Sequence, residues 1–160
     1  MSNLPLKYKG YCIALQEVPD EIPLIINVSG CPHKCEGCHS KYLWEYEGNY
    51  IANDLPALID KYKEYISCIC FMGGDQNMNE ITALCDYVHL QGYKCCLYTG
   101  LDDFPTNMPD FDYIKIGHYD QNKGGLNSPT TNQKMYKRTE NGYVDITYLF
   151  QKGGLNAEDN

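Results

Sequence analysis

The chain has 160 residues, 43% of them hydrophobic, and a formal net charge of −8. That length predicts one domain, spanning 1–160, with enough chain to bury a core. The acidic balance without a basic block argues against a nucleic-acid partner, no apolar run approaches the ~20 residues of a membrane span, and the N-terminus MSNLPLKYKG lacks the apolar core of a secretion signal, so a cytoplasmic protein is expected.

Residues 8–18, YKGYCIALQEV, alternate as a strand or half a hairpin. The run 22–28, IPLIINV, is apolar and β-branched, as in a strand buried on both faces. It leads into SGCPHKCEGCHSK at 29–41, after which SKYLWEYEG reads as a short helix ending near Gly48. Residues 53–65 read as a helix with Asn53 as N-cap and Pro56 in the first turn. Its apolar face carries Leu55, Leu58, Ile59 and Tyr62.

A second buried strand, ISCICFM at 66–72, runs into Gly73-Gly74-Asp75. Asn77 and Glu80 have capping-box spacing ahead of a helix whose core face is Ile81, Leu84, Cys85 and Val88, ended by Gly92. Strands follow at 93–100 and 111–119, and the Asn-Gly step in TENG marks a C-terminal hairpin. Strands alternating with helices predict an α/β fold with parallel connections. The chain is too short for an eight-unit barrel of ~250 residues, so the expected architecture is an open partial (β/α) barrel of parallel strands with a C-terminal β-hairpin.

Nine cysteines, an odd number, in a chain without a secretion signal point to metal rather than to a disulfide framework. Cys31, Cys35 and Cys38 have the spacing C-x3-C-x2-C, just past the C-terminal end of the first central strand, where parallel sheets bind ligands. Gly30 and Gly37 permit the tight backbone that would turn three sulfurs inward. Structural zinc wants a fourth ligand, for which only the adjacent His33 or His39 offers itself. A 4Fe-4S cube usually takes four thiolates, so three would leave one iron without a protein donor. The spacing alone leaves zinc and iron–sulfur both open.

The C-x3-C-x2-C arrangement, with Gly73-Gly74-Asp75 after the second central strand, resembles the radical S-adenosylmethionine superfamily. The motifs VSGCPHKCEGCHSKYLW, FMGGDQ, LYTG, DYIKIGHY and LNSPTTNQKMYK occur in this order over roughly residues 10–138. Together they resemble the activating proteins of anaerobic (class III) ribonucleoside-triphosphate reductases. The resemblance implies reductive cleavage of S-adenosylmethionine at a 4Fe-4S cluster. The 5′-deoxyadenosyl radical then generates a glycyl radical on the large reductase subunit. It implies Cys31, Cys35 and Cys38 as cluster ligands. Gly37, Cys38 and His39 would lie along S-adenosylmethionine, and Gly74 would meet its methionine end. The chemistry would be carried by the cluster and the cofactor rather than by a catalytic side chain. The implied partners are the reductase large subunit and an electron donor such as flavodoxin or ferredoxin. In one departure, Gly37 stands where many superfamily members have an aromatic residue before the third cysteine. The alternatives are an activase of another glycyl-radical enzyme, of the formate-lyase type, and a non-catalytic zinc or iron–sulfur module.

The other six cysteines read as small buried hydrophobes. His33 and His39 are expected to face solvent or bond backbone, Asp75 to cap the following helix or bond substrate, and Lys115 to be an exposed sheet lysine or to pair with a cofactor carboxylate. Tyr98 and Thr99 end a strand where they could line the cofactor site. TTNQ at 130–133 has no physical role legible in the sequence.

Overall fold

The apolar runs become the centre of a single sheet. The computed structural model describes residues 4–106 and 109–151. Its strands are β1 (Lys7–Ile13), β2 (Pro23–Val28), β3 (Asn49–Tyr50), β4 (Cys68–Met72), β5 (Lys94–Tyr98), β6 (Tyr113–Ile116), β7 (Lys134–Thr139) and β8 (Gly142–Asp145). They form one eight-stranded sheet in the order β3-β1-β2-β4-β5-β6-β7-β8. The four central strands, β2, β4, β5 and β6, are parallel, and the flanking pairs are antiparallel. The fold is therefore mixed α/β, with the expected C-terminal hairpin in β7–β8.

Alternation along the central strands builds two cores. Leu24, Ile26, Ile69, Phe71, Leu97 and Ile114 face the helices α1 (Ile51–Tyr62) and α2 (Met78–Leu90). Ile25, Cys68, Cys70, Cys96 and Tyr113 face the other way, under Val18, Leu126 and Ile146. With both faces covered, every residue of β6 is buried. Among the described residues, no helix is long and apolar enough to cross a membrane.

Several local expectations change. The segment after the cysteine loop forms only a 3-10 turn, Lys41–Leu43, and then the short strand β3 against β1. Helix α1 starts two residues before Asn53, capped by Tyr50 without a side-chain bond. The Ile51 N–H finds the Leu6 carbonyl at 3.0 Å, a partner supplied by another strand. Pro56 consequently lies inside the helix. It and Ala52, whose carbonyl loses a bond, are both exposed, so water can take that bond.

At α2 the Asn77 side chain accepts from the Glu80 N–H at 3.2 Å, as its spacing predicts. Glu80 does not close the capping box; its Oε2 accepts from the Leu6 N–H at 2.9 Å instead. The helix ends in a Schellman arrangement, with Tyr93 N–H bonding the Val88 carbonyl and Gly92 N–H the His89 carbonyl.

Candidate functional site

The parallel strands β2, β4, β5 and β6 end on one rim, and the cysteine loop lies across it. Several backbone and side-chain bonds fix the ends of that loop. Ser29 Oγ donates to the Glu47 carbonyl at 2.6 Å, and Gln76 Nε2 donates to the Ser29 carbonyl at 2.8 Å. The Cys31 N–H reaches the Leu43 carbonyl at 3.0 Å, and the Cys38 N–H turns back to the Cys35 carbonyl at 3.1 Å. Gly30 and Gly37 hold φ of 77° and 78°, a region that side chains disfavour, so the tight backbone is real.

Cys31, Cys35 and Cys38 are half-buried free thiols, and all three line one cavity of about 180 Å³. Its other walls are the strand ends: Asn27 and Val28 from β2, Met72 to Asp75 after β4, Tyr98 to Gly100 after β5, and Lys115 and Gly117 from β6. A Cβ on Gly74 would stand 2.5 Å from Ile81 Cδ1, and its φ is 116°, so this wall must be glycine. Gly37 and His39 do not line this cavity. Gly37 packs against Gln121, and the exposed His39 ring lies 5.5 Å from that of Tyr119. A second, wider cavity of about 560 Å³ adjoins the first and shares His33, Cys35, Gly100 and Tyr119 with it.

The donor set suits an iron–sulfur cluster. Among the described residues, no three His, Cys, Asp or Glu side chains converge as ligands of one metal ion. The Ser40 N–H donates to Cys38 Sγ at 3.3 Å, a bond of the kind that tunes cluster potentials. Trp44, another lining residue, has a buried indole N–H with no acceptor among the described residues.

Lys115 is buried, not exposed as its place between two isoleucines suggests. Its Nζ donates to the Thr99 and Gly117 carbonyls, both at 3.0 Å, and lies 5.6 Å from the Tyr98 ring centre. Burial pushes this ammonium down to about 8; Asp75 and Cys35 nearby oppose the shift. It brings a positive charge to the cavity wall.

Asp75 does not cap α2. It bonds His33, Thr99 and Gly100 instead. Tyr98 and Thr99 line the cavity, and Tyr98 also packs into the second core while its hydroxyl donates to the Glu17 carbonyl. TTNQ acquires a structural role. Asn132 Nδ2 donates to the His118 carbonyl at 3.1 Å, and Thr130 and Thr131 bond the Lys123 and Gly124 carbonyls. Buried Gln133 reaches the Gly117 carbonyl at 3.4 Å and lines the cavity. The motif therefore straps the 117–124 loop to the rim.

Five of the remaining cysteines, Cys68, Cys70, Cys85, Cys95 and Cys96, are fully buried as expected. Burial raises the thiols of Cys68, Cys95 and Cys96 well above their usual range. Cys12 is the exception: it is exposed on β1.

Comparison with known proteins bears on what the cavity holds. The chain is 33% identical over 72 residues to the anaerobic ribonucleoside-triphosphate reductase-activating protein of Enterobacteria phage T4. That stretch is 41% of this chain and spans just under half, 46%, of the phage protein. No solved structure matches the chain. The profile of the 4Fe-4S single cluster domain matches residues 22–108, a span that holds the three loop cysteines, Gly74 and Thr99. Because that span is more than half of the chain, the protein belongs to the 4Fe-4S single cluster domain family.

Proposed function

We propose that this protein is an activase that reductively cleaves S-adenosylmethionine at a 4Fe-4S cluster and so generates a glycyl radical on an anaerobic ribonucleoside-triphosphate reductase. The supporting observation is that Cys31, Cys35 and Cys38 share one cavity with Gly74, Thr99 and Lys115 at the C-terminal rim of the parallel strands. The partial likeness to the phage activating protein supports the choice of partner. We also read the parallel core as an open partial barrel whose mouth is this rim.

In this reading Cys31, Cys35 and Cys38 would hold the cluster through their thiolates, and the absence of a fourth protein thiolate would leave room for the cofactor. When bound, the cluster supplies the electron that breaks a carbon–sulfur bond of the sulfonium. The chain's own residues bind and orient. Gly74 must be glycine because a side chain there would collide with Ile81 in the core, and it lines the cavity where the methionine end of the cofactor would lie. Lys115, held by two carbonyls, keeps a third N–H and a positive charge for an anionic group such as the methionine carboxylate. Gly37 and His39 stand further out along the loop, in reach of the wider cavity's Gln121 and Tyr119. That cavity is open enough to admit a loop of another protein, and an electron donor such as flavodoxin or ferredoxin would dock elsewhere on the rim.

The test is anaerobic reconstitution followed by reduction with S-adenosylmethionine present. Release of methionine and 5′-deoxyadenosine is expected, together with a carbon-centred electron paramagnetic resonance doublet on the added reductase subunit. Stoichiometric zinc without iron–sulfur absorption would overturn the reading. A cluster that reduces but never cleaves the cofactor would make the protein an electron carrier. A doublet on a formate-lyase but never on the reductase would reassign the partner.

A further inference from the structure

His33 lies midway between Cys31 and Cys35, and its half-buried ring reaches the sheet rim. Its Nε2 bonds Oδ2 of Asp75, whose carboxylate is only 6% exposed. The same Oδ2 accepts from the Gly100 N–H at 3.0 Å, and Oδ1 accepts from Thr99 Oγ1 at 2.5 Å. Both oxygens of Asp75 are thus committed to donors from the chain. Thr99 is itself held on both sides of its backbone: it is fully buried, its N–H donates to the Lys115 carbonyl and its carbonyl accepts from Lys115 Nζ. At Gly100 the fit is close, since a Cβ there would stand 2.6 Å from the His33 ring. Between the Cys31 N–H and the Cys35 carbonyl, the His33 ring makes the hydrogen bond that ties the loop to the sheet among the described residues.

We infer that His33 and Asp75 form a latch, and that His33 is a positioning residue for the cysteine loop. The latch joins the loop to the ends of β4 and β5 across 42 residues of sequence. It sets the placement of Cys31 and Cys35 before any cluster is bound, so that assembly meets a preformed loop. A bond between an imidazole N–H and a buried carboxylate is charge-assisted and strong enough for this. Asp75 accordingly holds the protein's own loop. The geometry of the latch is independent of what the thiols hold; only its consequence for a cluster rests on the function proposed above.

The experiment follows that division. Amide hydrogen exchange over residues 31–38 is measured in the metal-free protein for the wild type, His33→Ala, His33→Gln and the double variant His33→Ala/Asp75→Ala. Exchange in His33→Ala is expected to quicken by roughly tenfold, as for loss of a hydrogen bond to a charged group. His33→Gln, whose amide N–H can take the place of Nε2–H, should recover most of the protection. The double variant should exchange no faster than His33→Ala, because the loop loses one and the same bond. In reconstituted protein, His33→Ala should release iron to a chelator faster than the wild type by a similar factor. Wild-type exchange rates in His33→Ala overturn the latch, as does a double variant whose loop exchanges faster by a further tenfold. If exchange quickens as expected while reconstituted wild type shows no iron–sulfur absorption, the latch stands and the cluster assignment falls.

Discussion

Eight of the nine cysteines of this chain fall into two populations that differ in burial and in setting, with the exposed Cys12 apart from both. Cys31, Cys35 and Cys38 sit half-buried on a loop, free, and on one cavity. Cys68, Cys70, Cys85, Cys95 and Cys96 sit in strands or a helix with no exposure at all. The thiolate is the species that ligates metal. A loop can bring thiolates to a cavity mouth where water and backbone N–H groups support the charge, as the Ser40 N–H does at Cys38. A strand interior does the reverse, and the raised thiols of Cys68, Cys95 and Cys96 measure that cost. Position in the fold, not the number of sulfurs, decides which cysteines can serve a cluster.

The contrast breaks most readily at the loop. On the proposed function, Cys31→Ala, Cys35→Ala and Cys38→Ala are each expected to abolish 5′-deoxyadenosine release and to lower iron bound per chain, because each would remove one proposed cluster ligand. Iron analysis and product chromatography on reconstituted protein check this. Full iron and full turnover in any one of the three would remove that residue from the ligand set.

A second, smaller effect comes from Lys115, which stands where the sealed core meets the cavity. Burial holds its ammonium at about 8 against an ordinary value of 10.5. Between those values the unfolded chain binds the extra proton, so the folded state gains stability as pH rises through that window and has lost that contribution below it. Relative to Lys115→Met, metal-free wild type should gain on the order of 2 kcal/mol between pH 8 and pH 10. Urea denaturation at the two pH values measures the gap; a pH-independent gap would mean that the lysine is solvated in the folded protein.

The central strands, both helices and the hairpin were legible because their signals are local: apolar runs, helical spacing and the Asn-Gly step. What was not legible depended on distant partners. The start of α1 is set by the Leu6 carbonyl and not by Asn53. Lys115 reads as exposed from its neighbours, but a second core covers that face of β6. Cys12 lies on β1, next to the edge strand β3, where one face of the strand meets solvent. At the site, the three cysteines and Gly74 converge on one cavity as motif order suggests, whereas Gly37 and His39 lie outside it. The His33–Asp75 bond and the strap made by Thr130, Thr131, Asn132 and Gln133 join segments far apart in sequence. No local pattern announces such pairs.

The smallest expected effect is the sharpest on the comparison. Cys68 is fully buried in the second core and donates only weakly, to the Ile69 carbonyl at 3.6 Å. Cys68→Ala removes one sulfur from well-packed surroundings and leaves no charged or strongly polar group unpaired. The expected cost is about 1 kcal/mol in urea denaturation, a transfer term for the lost apolar surface with a small void added. Iron content and cofactor turnover should match the wild type, since this thiol is sealed in the second core and does not line the cavity that Cys31, Cys35 and Cys38 share. A folded Cys68→Ala protein without iron would show that burial in a strand does not disqualify a cysteine here, and the division between the two populations would have to be drawn along some other line.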